Sequence, residues 1–269
     1  MSTNAGQGTS LGTATGSDGV ASRAPVWVTG SAGRLGRAVV AEFRRSGLGV
    51  VPYDLQPTPG YGGVPVGSLL DRDALRRSAQ GASALIHLAA TPDDADFDAC
   101  LVPNNVLGLE RVLEAAREAG IRRWVLASSI QVNLGQSRNG PWPVRTSDPI
   151  SPHRWYAATK VFLESAGYSY ARDFGFEVIA VRLGWCPRDA GQVAQIEGEV
   201  IAQDTFLSPG DAGRFFRAAV TASVVPGFHV VFATSRPVRQ WVFDPEPAKR
   251  LLGWEPLDVW PVDALESRS

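Results

Sequence analysis

The sequence predicts an α/β protein built on a doubly wound parallel sheet, and three observations carry that prediction. Short apolar runs alternate with segments of helical periodicity, those runs are continuously apolar, and a glycine-rich turn joins the first run to the first helix. The alternation means βαβ units. Uninterrupted apolar runs mean strands covered on both faces, and right-handed crossovers then place helices on both sides of the sheet.

Residues 1–24 are rich in Gly, Ser, Thr and Ala and are expected to form a disordered tail, too poor in apolar groups to offset its ordering entropy. The stretch has neither the basic nor the apolar segment of a signal peptide. Val26-Trp27-Val28 is the first strand, and Leu35 to Ser46 the first helix, stopped by Gly47. Val50 to Asp54 reads as a second strand and Val64-Pro65-Val66 as a short third. A helix over Leu69 to Gln80 leads to the apolar strand Ala84 to Leu88. Helical spacing returns from Asn105 to Ala119; Arg123 to Ala127 is a fifth strand, Trp155 to Phe174 a long helix stopped by Gly175, and Glu177 to Leu183 a sixth strand. Periodicity weakens beyond Trp185. Residues 25–184 therefore read as the sheet domain, and 185–269 as a small part capping the strand ends.

The formal net charge of −1 argues against nucleic acid as the main partner. No apolar run reaches the roughly 18 residues that a membrane span needs. Cys100 and Cys186 lie far apart in no metal-ligand spacing, which gives no metal site and fits a reduced, cytoplasmic compartment. Lysine occurs only at Lys160 and Lys249 in a chain whose basic residues are otherwise arginine. That singles out Lys160.

Gly30-Ser31-Ala32-Gly33-Arg34-Leu35-Gly36 follows the first strand and opens the first helix. Glycines here allow a tight turn and a close backbone approach to pyrophosphate, and the helix N-terminus offers N–H groups and the positive end of its dipole. Two residues separate the first two glycines, a departure from the G-x-G-x-x-G spacing. Asp54 closes the second strand, where a carboxylate accepts ribose hydroxyls and repels a 2′-phosphate, so NAD is the expected cofactor. Two readings stand against these: Asp54 as the start of a turn before Gln56-Pro57, and Arg34 or Arg37 as a guanidinium that accommodates the phosphate of NADP. The fold expected is thus of the Rossmann type, with a small C-terminal substrate-binding cap.

Tyr156 and Lys160 are four apart on the long helix and share a face. Tyrosine has an ordinary pKa near 10 and is a poor base at neutral pH; a neighbouring ammonium favours its phenolate. The pair follows Ser128-Ser129, at the strand end where ligands bind in this architecture.

These stretches resemble the extended short-chain dehydrogenase/reductases, the NAD-dependent epimerase/dehydratase family, over about Val26 to Pro256. The resemblance rests on Thr29-Gly30-x-x-Gly33-x-x-Gly36, His87-Leu88-Ala89-Ala90, Asn105-x-x-Gly108, Ala127-Ser128-Ser129, Tyr156-x-x-x-Lys160, Val181-Arg182-Leu183-Gly184 and Leu251-Leu252-Gly253-Trp254-x-Pro256. It implies Tyr156 as acid/base, Lys160 as its electrostatic partner and holder of the cofactor ribose, and Ser129, or alternatively Ser128, as the hydroxyl positioning the substrate oxygen. Leu88, Ala89 and Ala90 would line the cofactor. Asn105 matches a site asparagine of the family, with a helix N-cap as its structural alternative.

Within the family the likeness runs to the uronate dehydrogenases, and the short C-terminal part, about 110 residues after Tyr156, favours a small free substrate over a sugar nucleotide. A uronic acid, an aldose and a cyclitol all remain open, because Trp185 stands where those enzymes place a serine. The stretch behind it is acidic and holds no arginine from Ala190 to Gln203, leaving Arg188 or Arg214 to meet a substrate carboxylate. Thr91, Gln131 and Trp185 complete the expected substrate contacts. His87 and Cys186 read as core residues, and His153 as part of a loop near the site. Two alternatives to a dehydrogenase stand beside it. One is an epimerase or dehydratase that retains its NAD and uses Asp93, Asp94 or His153 as a second acid/base; the other is a non-catalytic NAD-binding sensor. The expected assembly is a homodimer or higher homo-oligomer through the helices that follow the strands ending at Leu88 and Ala127.

Overall fold

The computed structural model describes residues 1, 24–62 and 66–262. The tail over 2–23 and most of the expected third strand, at 64–65, lie outside the described residues. Six parallel strands form one sheet in the order β2-β1-β3-β4-β5-β6: β1 Val26–Thr29, β2 Val50–Tyr53, β3 Ala84–His87, β4 Arg123–Ser129, β5 Glu177–Leu183 and β6 Gly227–Ala233. The order reverses between β1 and β3, where this architecture opens a crevice at the strand ends.

Alternate residues of each strand enter different cores. Val26 and Val28, Ala84 and Ile86, and Val125 and Ala127 pack on one face beneath α1 (Arg34–Arg45) and α8 (Pro209–Thr221). Trp27, Leu85, Trp124 and Leu126 pack on the other, beneath α2 (Arg72–Ala79), α3 (Gly108–Glu118) and α5 (Arg154–Phe174). Two buried faces explain why these strands read as unbroken apolar runs. Gly213 lets α8 approach α1 closely, since a Cβ there would lie 2.9 Å from Glu42 Cβ and 3.0 Å from Ala38 O.

Two expectations are corrected. The sheet does not stop at Leu183: β6 pairs with β5 along its whole length, from Glu177↔Gly227 to Leu183↔Ala233. Together with α8 it belongs to the sheet layers, although both lie in the stretch expected as a cap. It is an edge strand whose first four residues are only partly buried, so its sequence lacks the apolar signature of the inner strands. Second, the helix expected from Asn105 begins at Phe97, as π-helical turns over Phe97–Leu107 that contain Pro103 and run into α3. The remainder of the expected cap includes the short helices α6 (Ala190–Gly198) and α7 (Val200–Asp204), which border the strand-end crevice. No helix among the described residues is long and apolar enough to cross a membrane.

Candidate active site

A cleft of about 530 Å³ opens at the strand ends and is lined by Gly30, Gly33, Arg34, Leu35, Gly36, Leu88 and Ala90 at one end and Ser129, Gln131, Tyr156, Lys160 and Trp185 at the other. A smaller one of about 190 Å³, lined by Asp54, Ala89 and Asn104 among others, shares Gly30, Gly33, Leu88 and Ala90 with it. The two form a groove running from Asp54 over the glycine turn to Tyr156.

The glycine turn is dictated by packing. At Gly30, with φ +74°, a Cβ would sit 2.6 Å from Ala89 N, and at Gly36 2.0 Å from Gly30 O. At Gly33 it would meet only Gly30 O, at 3.3 Å, so backbone stays open towards the groove. Gly33 is also the N-cap of α1, and no side chain caps that helix. Asp54 ties the turn to β2: Oδ2 accepts from Ala32 N at 3.0 Å and Oδ1 from Gln56 N at 3.0 Å. It forms the turn before Pro57 and also faces the groove. Arg37 donates to Ala32 O at 3.2 Å. Open backbone beside a helix N-terminus, with a carboxylate at the adenosine end, fits a dinucleotide.

Successive positions of β4 engage successive turns of α5. Ser129 sits beside Tyr156 on the cleft wall and helps to lower its phenol, Ala127 O accepts from Lys160 Nζ at 2.8 Å, and Ser128 Oγ donates to Glu164 Oε1 at 2.6 Å. Ser129, not Ser128, is therefore the serine that meets Tyr156. Lys160 Nζ lies 5.5 Å from the Tyr156 ring centroid. Burial first, then Asp93, pushes the Tyr156 phenol up to about 12, with Arg188 and the Ser129 hydroxyl pulling the other way. Burial lowers Lys160 to about 8. The charge that pulls the phenol down is Arg188, while Lys160, at about 8, still carries its proton at neutral pH.

Comparison with known proteins agrees with this geometry. The sequence profile described as "NAD dependent epimerase/dehydratase family" matches residues 26–185. The chain belongs to that family. An L-arabinose 1-dehydrogenase (NAD(P)(+)) of Haloferax volcanii is 35% identical over 216 residues, covering 75% of this chain and 84% of its own. The crystal structure of a uronate dehydrogenase from Agrobacterium tumefaciens superposes with a TM-score of 0.71 at 27% identity, over 87% of this chain and 85% of that one. A mutant of that enzyme complexed with NAD gives 0.71 at 26% identity, with 87% and 85% covered. This member of the family is an NAD-dependent oxidoreductase, related to sugar dehydrogenases and epimerases.

Of the residues expected at the site, Asn105 and Thr91 are not among those lining the groove. Asn105 is 5% exposed and its amide is fully engaged: Oδ1 accepts from Thr91 N at 2.8 Å, and Nδ2 donates to Thr91 O at 3.0 Å and Thr159 Oγ1 at 3.1 Å. It braces the loop after β3 against α5. Thr91 is held on its other side by Asn104 Nδ2, which donates to its Oγ1 at 2.8 Å. His87 is a satisfied core residue: Nδ1 meets Thr29 Oγ1 at 2.7 Å, and burial with the nearby Lys160 charge lowers it to about 3.

Sequence reasoning missed three contributors. Glu164 and Arg182 form a buried ion pair behind Lys160, with Arg182 Nη2 2.7 Å from Glu164 Oε2 and Nη1 2.7 Å from Asn133 Oδ1. The signal was available, because Glu164 continues the four-residue spacing of Tyr156 and Lys160. Asp94, read only as a second acid/base, caps α5 from another loop: its Oδ1 accepts from Tyr156 N at 3.1 Å, while the N-cap residue His153 makes no side-chain bond.

Proposed function

We propose that this oxidoreductase is a dehydrogenase acting on a hydroxyl of a small free sugar, with Tyr156 as its acid/base. The observation that carries this is the convergence of Tyr156, Lys160 and Ser129 on the cleft that also holds the glycine turn. The turn from Gly30 to Gly36 would hold the pyrophosphate and Asp54 a ribose, with Leu88, Ala89 and Ala90 along the cofactor. When bound, NAD supplies the hydride acceptor.

The chain's own residues do the rest. Ser129 Oγ holds the substrate oxygen, and Tyr156 Oη takes the hydroxyl proton in oxidation and returns it in reduction. Lys160, anchored on Ala127 O, presents its positive charge to the Tyr156 ring and would hold the cofactor ribose. With the phenol raised to about 12, Tyr156 holds its proton and is a ready donor; added positive charge nearby favours its role as base. Gln131 and Trp185 border the substrate.

An NAD-retaining epimerase would need a second proton-handling group facing the substrate. Of Asp93, Asp94 and His153 only Asp93 lines the cleft, and it is paired with Arg188, which favours the dehydrogenase. The test is NADH absorbance with NAD and a panel of aldoses, uronates and cyclitols. NADH should form, and Tyr156→Phe should lower kcat/KM by roughly 10²–10⁴-fold with an unchanged thermal melt. A panel without NADH, or a product isomeric with its substrate, overturns the assignment. For assembly we propose a homodimer through α5 and the π-helical turns that lead into α3, where Trp155 and Phe162 on the first and Phe97 and Leu107 on the second are exposed. Light scattering that shows a monomer at micromolar concentration refutes it.

A further inference from the structure

Apart from Lys160, and from Arg34 at the glycine turn, four charged side chains line the cleft: the acids Asp93 and Glu199 and the guanidiniums Arg138 and Arg188. Asp93, in the loop after β3, pairs with Arg188, in the loop between β5 and α6, so the pair bridges two lips of the cleft. Each partner is held from its own side. Asp93 adopts the left-handed conformation, φ 59°, and its O accepts from Ala95 N at 3.1 Å. Arg188 N donates to Gln192 Oε1 at 2.9 Å. The side chains remain 55% and 39% exposed, within reach of a ligand. Both line the same cleft as Tyr156.

We propose that Asp93 sets the charge of the substrate: by occupying the Arg188 guanidinium it makes the cleft select an uncharged sugar over the corresponding sugar acid. This deepens the reading of the site as a small-sugar dehydrogenase and rests on it. A guanidinium fork is the natural partner of a carboxylate. A sugar acid reaching Arg188 must displace an intramolecular carboxylate, then leave Asp93 unpaired beside a second negative charge. A hydroxymethyl group meets neither penalty. Asp93 thus acts as an internal stand-in for the carboxylate that an unpaired Arg188 would bind. With Arg34 at the glycine turn, Arg138 is the remaining guanidinium on the substrate side of the wall, and it is the competing explanation to be excluded.

The test uses two sugar pairs that differ only at C6, D-glucose with D-glucuronate and D-galactose with D-galacturonate. The kcat/KM ratio of acid to neutral sugar is measured for the wild type, Asp93→Asn, Arg188→Gln, the double variant and Arg138→Gln. Asparagine tolerates the left-handed conformation, so Asp93→Asn changes charge and leaves the loop in place. The wild type should favour the neutral member. Asp93→Asn should raise the ratio on the order of tenfold, the size of an exposed charge pairing plus a relieved repulsion. Arg188→Gln in that background should cancel the gain, and Arg138→Gln should leave the ratio alone.

A wild type that prefers the acids, an Asp93→Asn ratio equal to wild type, or a ratio governed by Arg138 overturns the proposal. If no protein oxidises any of the four sugars and the wider panel of aldoses, uronates and cyclitols also yields no NADH, the dehydrogenase reading fails by itself. The charge selection is then read by titration calorimetry with NAD present. A uronate affinity that rises in Asp93→Asn while aldose affinity stays constant upholds it, and unchanged affinities refute it.

Discussion

Two arginine–carboxylate pairs flank the Tyr156–Lys160 site, and they differ in nearly everything except chemistry. Arg182–Glu164 lies behind Lys160 with side chains 3% and 9% exposed and is densely hydrogen-bonded: Glu164 accepts from Arg182 Nε and Nη2 and from the Ser128 hydroxyl, and Arg182 Nη1 donates to Asn133 Oδ1. Arg188–Asp93 spans the cleft lips with 39% and 55% exposure, in contact with solvent and substrate space. Removing one partner of a buried pair strands a charge in a medium that cannot solvate it. An exposed pair leaves its charges to water. The first is suited to holding β4, β5 and α5 in one geometry, the second to being exchanged.

The contrast breaks down if the buried pair proves cheap. Arg182→Met should cost about 3–5 kcal/mol of unfolding free energy, the cost of an uncompensated buried carboxylate at Glu164. A urea midpoint within the error of wild type would show that water reaches this network. Asn105→Ala tests another brace of the same frame. It leaves Thr91 N and O without their partner, so a loss of about 1–3 kcal/mol is expected, together with a lower kcat/KM although Asn105 lines neither cleft. Wild-type catalysis in a destabilised Asn105→Ala protein would separate stability from positioning.

The lip pair can be sharpened by pH. Asp93 raises the Tyr156 phenol and Arg188 lowers it. Oxidation requires Tyr156 to accept a proton, so its rate climbs with pH as the phenolate grows. Removing a neighbouring anion favours that phenolate: in Asp93→Asn the rising limb moves to lower pH, and in Arg188→Gln to higher pH. Shifts of equal sign in the two variants would contradict the pairing. The smallest effect is on stability, where Asp93→Asn should change unfolding by no more than about 1 kcal/mol. A thermal melt that drops as far as that of Arg182→Met would erase the distinction between the two pairs.

Legibility in the sequence followed the range of each signal. Gly30, Gly33, Gly36 and Asp54 announce themselves because turn chemistry is local: a positive φ, a close approach and a strand-end carboxylate are all decided within a few residues. Tyr156 and Lys160 are legible through helical spacing, and all of these line one groove. Asn105 was legible as an important residue but not in its direction, since both sides of its amide are taken by Thr91 and Thr159, fourteen and fifty-four positions away. Strand β6 was missed because an edge strand with a half-exposed start carries no distinctive pattern.

The sequence by itself therefore determined a parallel α/β sheet, a dinucleotide turn at its first strand and a Tyr–Lys pair on one helix face, each set by periodicity or by backbone sterics over short range. Tertiary structure alone decided which serine meets Tyr156, that Asp94 caps its helix from another loop, and that Arg188 is already paired with Asp93, ninety-five positions earlier. Those are contacts between groups whose proximity is created only when the sheet closes, and no local preference of the chain encodes them.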